Sequence, residues 1–86
     1  MKHTLEMPVE SVCVPDKETA LQIADIVFKN LQKGGMYKNY IPIAVDYYVE
    51  DELWVVTYAV DLIPGACISF AIRKQNAEII AIWVGE

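Results

Sequence analysis

The sequence predicts an α+β domain in which one N-terminal amphipathic helix packs on a curved four-stranded antiparallel sheet. The helical spacing of apolar residues occurs once, before residue 36. After residue 40 the chain consists of short runs rich in β-branched and aromatic residues, separated by polar turns. Because no second helical pattern separates these runs, consecutive strands are expected to pair as an antiparallel meander beside the helix.

The predicted helix occupies residues 14–35. Asp16 is placed to cap the first turn, and Glu18 lies near the positive end of the helix. Gly34 and Gly35 end the helical pattern. The apolar residues at three-and-four spacing, which should face the sheet, are Ala20, Ile23, Ala24, Val27, Phe28 and Leu31.

The predicted strands share a high content of Val, Ile, Tyr, Phe and Trp, which favour extended backbone. They cover residues 41–49, 53–60, 66–73 and 78–84. Residues 79–84 are almost continuously apolar. The last strand is therefore expected either to be covered on both faces or to form a partner surface.

The turn between the first two strands is predicted to consist of the acidic residues 50–52. A three-residue loop places Tyr48 opposite Trp54 and Asp46 opposite Val56. Asp46 is then expected on the outward face, because a buried carboxylate inside a strand would require a partner.

The chain is predicted to be a single domain over residues 1–86, since 86 residues supply material for only one core. Residues 1–13 are assigned to a tail or a short edge strand, and residues 40–86 to the meander. No apolar run reaches the roughly 18 residues of a membrane span. The N-terminus lacks a secretory signal pattern, so a cytoplasmic location is expected.

Catalytic and metal-binding residue patterns are not found in the sequence. His3 is the only histidine, and the two cysteines, Cys13 and Cys67, are expected to be reduced thiols. Gly34 and Gly35 follow a helix, whereas phosphate-binding glycines precede one. We therefore expect a protein that is not an enzyme and that has no cofactor and no metal ion.

The net charge of −5 lies entirely in the second half of the chain. Residues 1–38 hold five acids and five bases, whereas residues 39–86 hold seven acids and two bases. Such a distribution disfavours nucleic acid, which requires clustered Lys and Arg, and favours a basic protein partner. An ordinary solubility charge is the alternative interpretation.

Two groups of side chains in the strand half are candidates for partner binding. The acidic turn is either a solvated loop tip, a contact for a basic partner, or a metal or acid–base site. The aromatic side chains predicted to share one face of the first hairpin either complete the core or form a recognition patch. The candidate residues are Asp46, Tyr48, Glu50, Asp51, Glu52, Trp54, Tyr58 and Asp61.

Several segments resemble the bacterial immunity proteins with a nuclear-transport-factor-2-like, or cystatin-like, fold, which are associated with polymorphic toxin systems. The opening helix (14–24), the Trp-bearing strand (53–56), Gly65 and the run 68–80 carry this resemblance, which extends over residues 14–85. The last hairpin departs from the family's Asp-Gly or Asn-Gly pattern by having Ala77 after Asn76. An alanine there either is strained or belongs to another type of turn.

The resemblance implies neutralisation of a toxin by direct protein contact, without a cofactor and without turnover. An acidic strand half would suit a basic toxin domain. Two other interpretations stay open: a small ligand-binding or enzymatic cone with a pocket near Asp46 and Tyr47, and a regulatory or inhibitor-like propeptide module. A homodimer through the apolar last strand is also left open.

Overall fold

The computed structural model describes residues 12–60 and 65–85. Helix α1 (Lys17–Lys33) is followed by strands β1 (Ile41–Tyr48), β2 (Leu53–Ala59), β3 (Cys67–Arg73) and β4 (Ile79–Gly85). The strands form one antiparallel sheet in the order β1-β2-β3-β4, and α1 packs on one face of it. The predicted fold class is confirmed. The predicted N-terminal tail or edge strand lies, apart from residues 12 and 13, outside the described residues.

The N-terminal boundary of α1 is set by the side chain of Asp16. Its backbone is extended, and its carboxylate accepts hydrogen bonds from the backbone N–H of Thr19 at 2.9 Å and from the Thr19 hydroxyl at 2.7 Å. The helix therefore begins at Lys17, three residues after the predicted start. At the other end, the N–H of Gly34 donates to the Leu31 carbonyl at 3.2 Å, and the helix ends at Lys33. Within the described residues, no helix is long and apolar enough to cross a membrane.

The core lies between α1 and the inner face of the sheet, which is defined here as the face toward the helix. α1 contributes residues spaced by four, of which Ala20 and Ala24 are small enough to let the helix approach the sheet closely. The ring of Phe28 stacks on Tyr58 with centroids 4.0 Å apart and meets Phe70 edge-on at 6.2 Å. The remaining buried apolar residues of this core cluster are Val14, Val56, Ile68 and Ile72.

The predicted register of the first hairpin is wrong by one residue. Tyr48 pairs with Leu53, so the turn contains the four residues 49–52 and not only the three acids. Trp54 is consequently opposite Tyr47, and Asp46 is opposite Val55. Because side chains alternate between the faces of a strand, this shift moves Tyr48 to the face opposite that of Trp54.

The last hairpin contains the strained residue that its sequence allowed. Ala77 has a φ of 66°, in the left-handed region, and its N–H donates to the Arg73 carbonyl at 3.0 Å. The Asn76 side chain accepts a hydrogen bond from the Glu78 N–H at 3.0 Å. Of the two expected alternatives, the structure therefore has the strained one, in which the alanine takes a conformation that glycine prefers.

Candidate functional site

The candidate aromatic residues do not form one surface patch. Trp54 and Tyr58 project from the inner face of β2, whereas Tyr48 projects from the outer face of β1, the face away from the helix. Their predicted common face is therefore wrong, and the physical reason is the fourth turn residue described above. Asp61 lies outside the described residues.

Trp54 holds the segment before the helix against the sheet. Its indole N–H donates to the Val14 carbonyl at 2.9 Å, and its ring lies 4.8 Å from that of Tyr47. The same segment is fixed from the other side, because the N–H of Val14 donates to the Lys74 carbonyl at 3.0 Å. Both observations favour the core alternative for Trp54.

Tyr58 is enclosed by the helix and the sheet, with 1% of its surface exposed. Its hydroxyl donates to Asp25 Oδ1 at 3.1 Å, and Asp25 in turn lies 3.2 Å from Lys29 Nζ. Burial, together with this hydrogen bond to a carboxylate, raises the pKa of Tyr58 above its usual range. Tyr58 therefore belongs to the core and offers no surface to a partner in this conformation.

A groove runs across the outer face of the sheet, from the end of β1 to β4. It has a volume of about 380 Å³. Tyr48 and Trp83 stand on two sides of it with 51% and 45% of their surfaces exposed, and Leu53 and Val55 contribute its apolar floor. The residues that line this outer groove are Tyr48, Asp51, Leu53, Val55, Ala71, Ile80, Ala81 and Trp83.

Carboxylates border the outer groove where β1 and β2 meet. Asp51 lines the groove, and Glu50 and Glu52 are exposed in the same turn. Asp46 is exposed and pairs with Val55, so it lies on the same outer face as that groove residue. Five of the eight candidate residues, namely Asp46, Tyr48, Glu50, Asp51 and Glu52, therefore lie in the groove or around it.

The sequence interpretation did not select Trp83 and Ile80 as site residues. The apolar character of residues 79–84 did indicate a partner surface, but it did not show which residues of the other strands lie beside Trp83. The four strands bring Tyr48 and Trp83 to one groove although 35 positions separate them in the chain. Only the register could have shown that these two rings share a face.

A second, smaller groove lies between the start of α1 and β1, with a volume of about 280 Å³. It is lined by Lys17, Glu18, Leu21, Pro42, Ile43, Ala44 and Val45. Neither Asp46 nor Tyr47 lines it. Tyr47 instead packs on Trp54, and Lys74 Nζ lies 5.1 Å from the centroid of the Tyr47 ring.

Metal-binding clusters of three or more His, Cys, Asp or Glu side chains do not occur in the part of the chain that the structure describes. The two cysteines, Cys13 and Cys67, are free and half-buried. The acidic turn is accordingly an exposed group of carboxylates next to an apolar groove. This arrangement is suited to contact with cationic side chains.

Comparisons of the chain with protein-family models, with curated proteins and with solved structures find no match. The resemblance to immunity proteins therefore stays a prediction that the comparisons do not test.

Proposed function

We propose that this protein is a non-catalytic binding module that holds a basic protein partner in its outer groove. In the form that the sequence resemblance implies, the partner is a bacterial toxin domain that is neutralised by direct contact. The observation that carries the proposal is the groove itself, in which exposed Tyr48 and Trp83 flank an apolar floor beside Asp51.

The apolar part of the groove supports a protein partner. Trp and Tyr are enriched in protein interfaces because their large rigid rings bury much area at a low cost in side-chain entropy. Here both rings stand beside aliphatic side chains of β2 and β4, so that they form one surface with a shared floor. A partner that inserts an apolar side chain between Tyr48 and Trp83 would remove all of these groups from water.

The charge around the groove supports a basic partner. Asp46 and the acidic turn lie exposed on its border. Of the two cations in the strand half, Arg73 is paired with Glu78 at 3.2 Å, and Lys74 Nζ lies 5.1 Å from the centroid of the Tyr47 ring. A partner with Lys or Arg around an apolar centre would meet complementary charge, which raises the association rate and selects against acidic competitors. Binding is therefore expected to weaken as the ionic strength rises.

The alternative of a ligand-binding cone has less support from the geometry. That alternative places a pocket between the helix and the sheet, near Asp46 and Tyr47. The stacked rings of Phe28 and Tyr58 fill the centre of this space, and Asp46 is exposed on the other face. The inhibitor-like alternative also requires a protein partner, so the identity of that partner separates it from toxin neutralisation.

Co-expression with a toxin domain from a neighbouring gene tests the proposal. The wild-type chain should restore growth and copurify with the toxin, whereas Tyr48→Ser and Asp51→Asn should reduce both effects without lowering the melting temperature. Ile26→Ser is the control, because it also replaces a large exposed apolar side chain by serine, but on the helix and away from the outer groove. This variant should restore growth and copurify like the wild type. Growth rescue without a complex would contradict direct neutralisation, and equal rescue by all variants would contradict the groove.

A further inference from the structure

We propose that two copies of this chain pair antiparallel through β4 and join their sheets into one sheet of eight strands. β4 is the last strand in the sheet order, so one side of its backbone has no partner strand among the described residues. Unpaired N–H and C=O groups along an edge are a template for another strand. The seven residues of β4 include no charged residue and no proline that would oppose such pairing.

The side chains of residues 80–84 in β4 are also exposed, on both faces of the sheet, in the described part of the chain, whereas Ile79 packs against the core. α1 contacts β1, β2 and β3 but not β4. As a result Ile82 is 47% exposed and Val84 60% exposed on the inner face, while Trp83 is 45% exposed on the outer face. Contiguous exposed apolar surface of this kind marks an interaction site.

The opposite edge of the sheet carries two features that oppose pairing and that β4 lacks. Pro42 supplies no N–H to a new strand. Asp46 adds an exposed charge to β1. Association through β4 alone uses the same surface on both copies, so it closes at two and does not extend into a fibre.

The sequence of β4 is complementary to itself when a twofold axis passes between the Ile82 residues of the two copies. Ala81 then lies opposite Trp83 of the second copy on the outer face, while Ile80, which is skipped in the pairing with β3, lies outside the regular pairs. The small side chain of Ala81 leaves room for the indole, and every contact is apolar. A chain with a net charge of −5 repels its copy over most of its surface. β4 itself contains no carboxylate, but two acids, Glu78 and Glu86, flank it at its ends.

The pairing would place two outer grooves side by side, because Trp83 and Ala81 line the groove of each copy. The dimer would therefore present one groove surface of double length. This inference goes beyond the proposed function and does not depend on it, since the dimer forms without a partner.

Molar mass measured across a concentration series by light scattering or sedimentation equilibrium tests the dimer. The wild-type chain should approach twice 9.7 kDa, and Ile82→Lys should stay at 9.7 kDa because it places a charge at the twofold axis. Ile43→Lys, at an apolar site that is 56% exposed on the protected edge, should dimerise like the wild type. A wild-type monomer at every concentration would overturn the proposal, as would equal dimerisation of both variants.

Hydrogen exchange of the wild-type chain keeps the test decisive even if Ile82→Lys fails to fold. Amides of β4 should exchange more slowly as the protein concentration rises, whereas amides of β1 should not change. Exchange in β4 that is independent of concentration would overturn the pairing. Because this experiment contains no toxin, its failure would leave the proposed function of the outer groove untouched.

Discussion

Glu52 carries the left-handed backbone conformation that closes the turn between β1 and β2, with a φ of 53°. Its N–H donates to the Val49 carbonyl at 3.3 Å, and its own carbonyl accepts from the Lys74 N–H at 3.0 Å. This one residue therefore closes the first hairpin and ties its tip to the last hairpin. A residue with a side chain costs roughly 1–2 kcal/mol in this conformation, a cost that glycine avoids.

Glu52→Gly is expected to stabilise the fold by about 0.5–1 kcal/mol. Relief of the backbone strain outweighs the greater entropy that glycine has in the unfolded chain, roughly 0.5–1 kcal/mol. Urea unfolding measures the difference. Glu50→Gly is the matched control, because it removes a carboxylate from the same turn at a residue without positive φ, and it should destabilise. Equal changes for both variants would show that charge, and not backbone strain, decides the stability of this turn.

Of the two strained non-glycine residues in these hairpins, only one could be recognised from the sequence. Ala77 follows Asn76 where Asn-Gly would suit a tight hairpin, and this made strain one of two expected alternatives. Glu52 gave no such signal, because a third acid at a hairpin tip is ordinary. Its conformation follows from the length of the turn, and the types of residue in the turn did not indicate that length.

Helix α1 depends at its start on a single capping residue, Asp16. Hydrogen bonds from the hydroxyl and the backbone N–H of Thr19 lower the pKa of Asp16. A lowered pKa means that the folded chain binds this proton less readily than the unfolded chain. The stabilising effect is therefore present above the usual aspartate pKa of about 3.9 and is lost as the pH falls through the folded value.

Asp16→Ala is expected to lower the melting temperature at neutral pH, because the first turn loses its acceptor. Asp16→Asn should retain most of the stability at neutral pH, since an amide oxygen also caps, but it removes the titrating group. Thermal unfolding over a pH series should show the advantage of the wild type over Asp16→Asn shrinking below pH values of about 3.9. A constant difference between these two chains across the series would rule out the pH effect of Asp16.

At the scale of elements, the sequence was sufficient to locate the helix and all four strands but not the faces of the first hairpin. β-branched and aromatic runs identify a strand whichever way its side chains point. The face on which a side chain lies depends on the register. Because the turn includes one more residue than predicted, Val49, Tyr48 and Trp54 lie on opposite faces of the sheet and not on the same one. The acidic border residues were found because exposure of a hairpin tip does not depend on register.

Across the whole molecule, the helix is too narrow to cover the sheet that it stabilises. It packs on β1, β2 and β3, and the last strand is left with its apolar side chains exposed. The outer groove likewise forms only when all four strands are in place, because its two exposed rings come from β1 and β4. The outer groove could not be assembled from sequence neighbours, which is why Trp83 was missed as a site residue, whereas the apolar run of residues 79–84 did indicate a possible partner surface on the last strand.

The docking of the helix on the sheet depends on Phe28, which connects the aromatic side chains of the molecule. Besides its contacts with Tyr58 and Phe70, its ring lies 6.1 Å from Tyr37 and 6.4 Å from Tyr40, in the connection to β1. Phe28→Ala should cost about 3–5 kcal/mol of unfolding free energy, measured in urea, because it opens a cavity among these rings. That is a large part of the roughly 5–15 kcal/mol that stabilises a domain.

The control for this prediction is Ile26→Ala, on the exposed face of the same helix, which should change the free energy of unfolding by less than about 0.5 kcal/mol. Similar losses for the two variants would mean that the aromatic contacts of Phe28 do not decide how firmly the helix is held on the sheet.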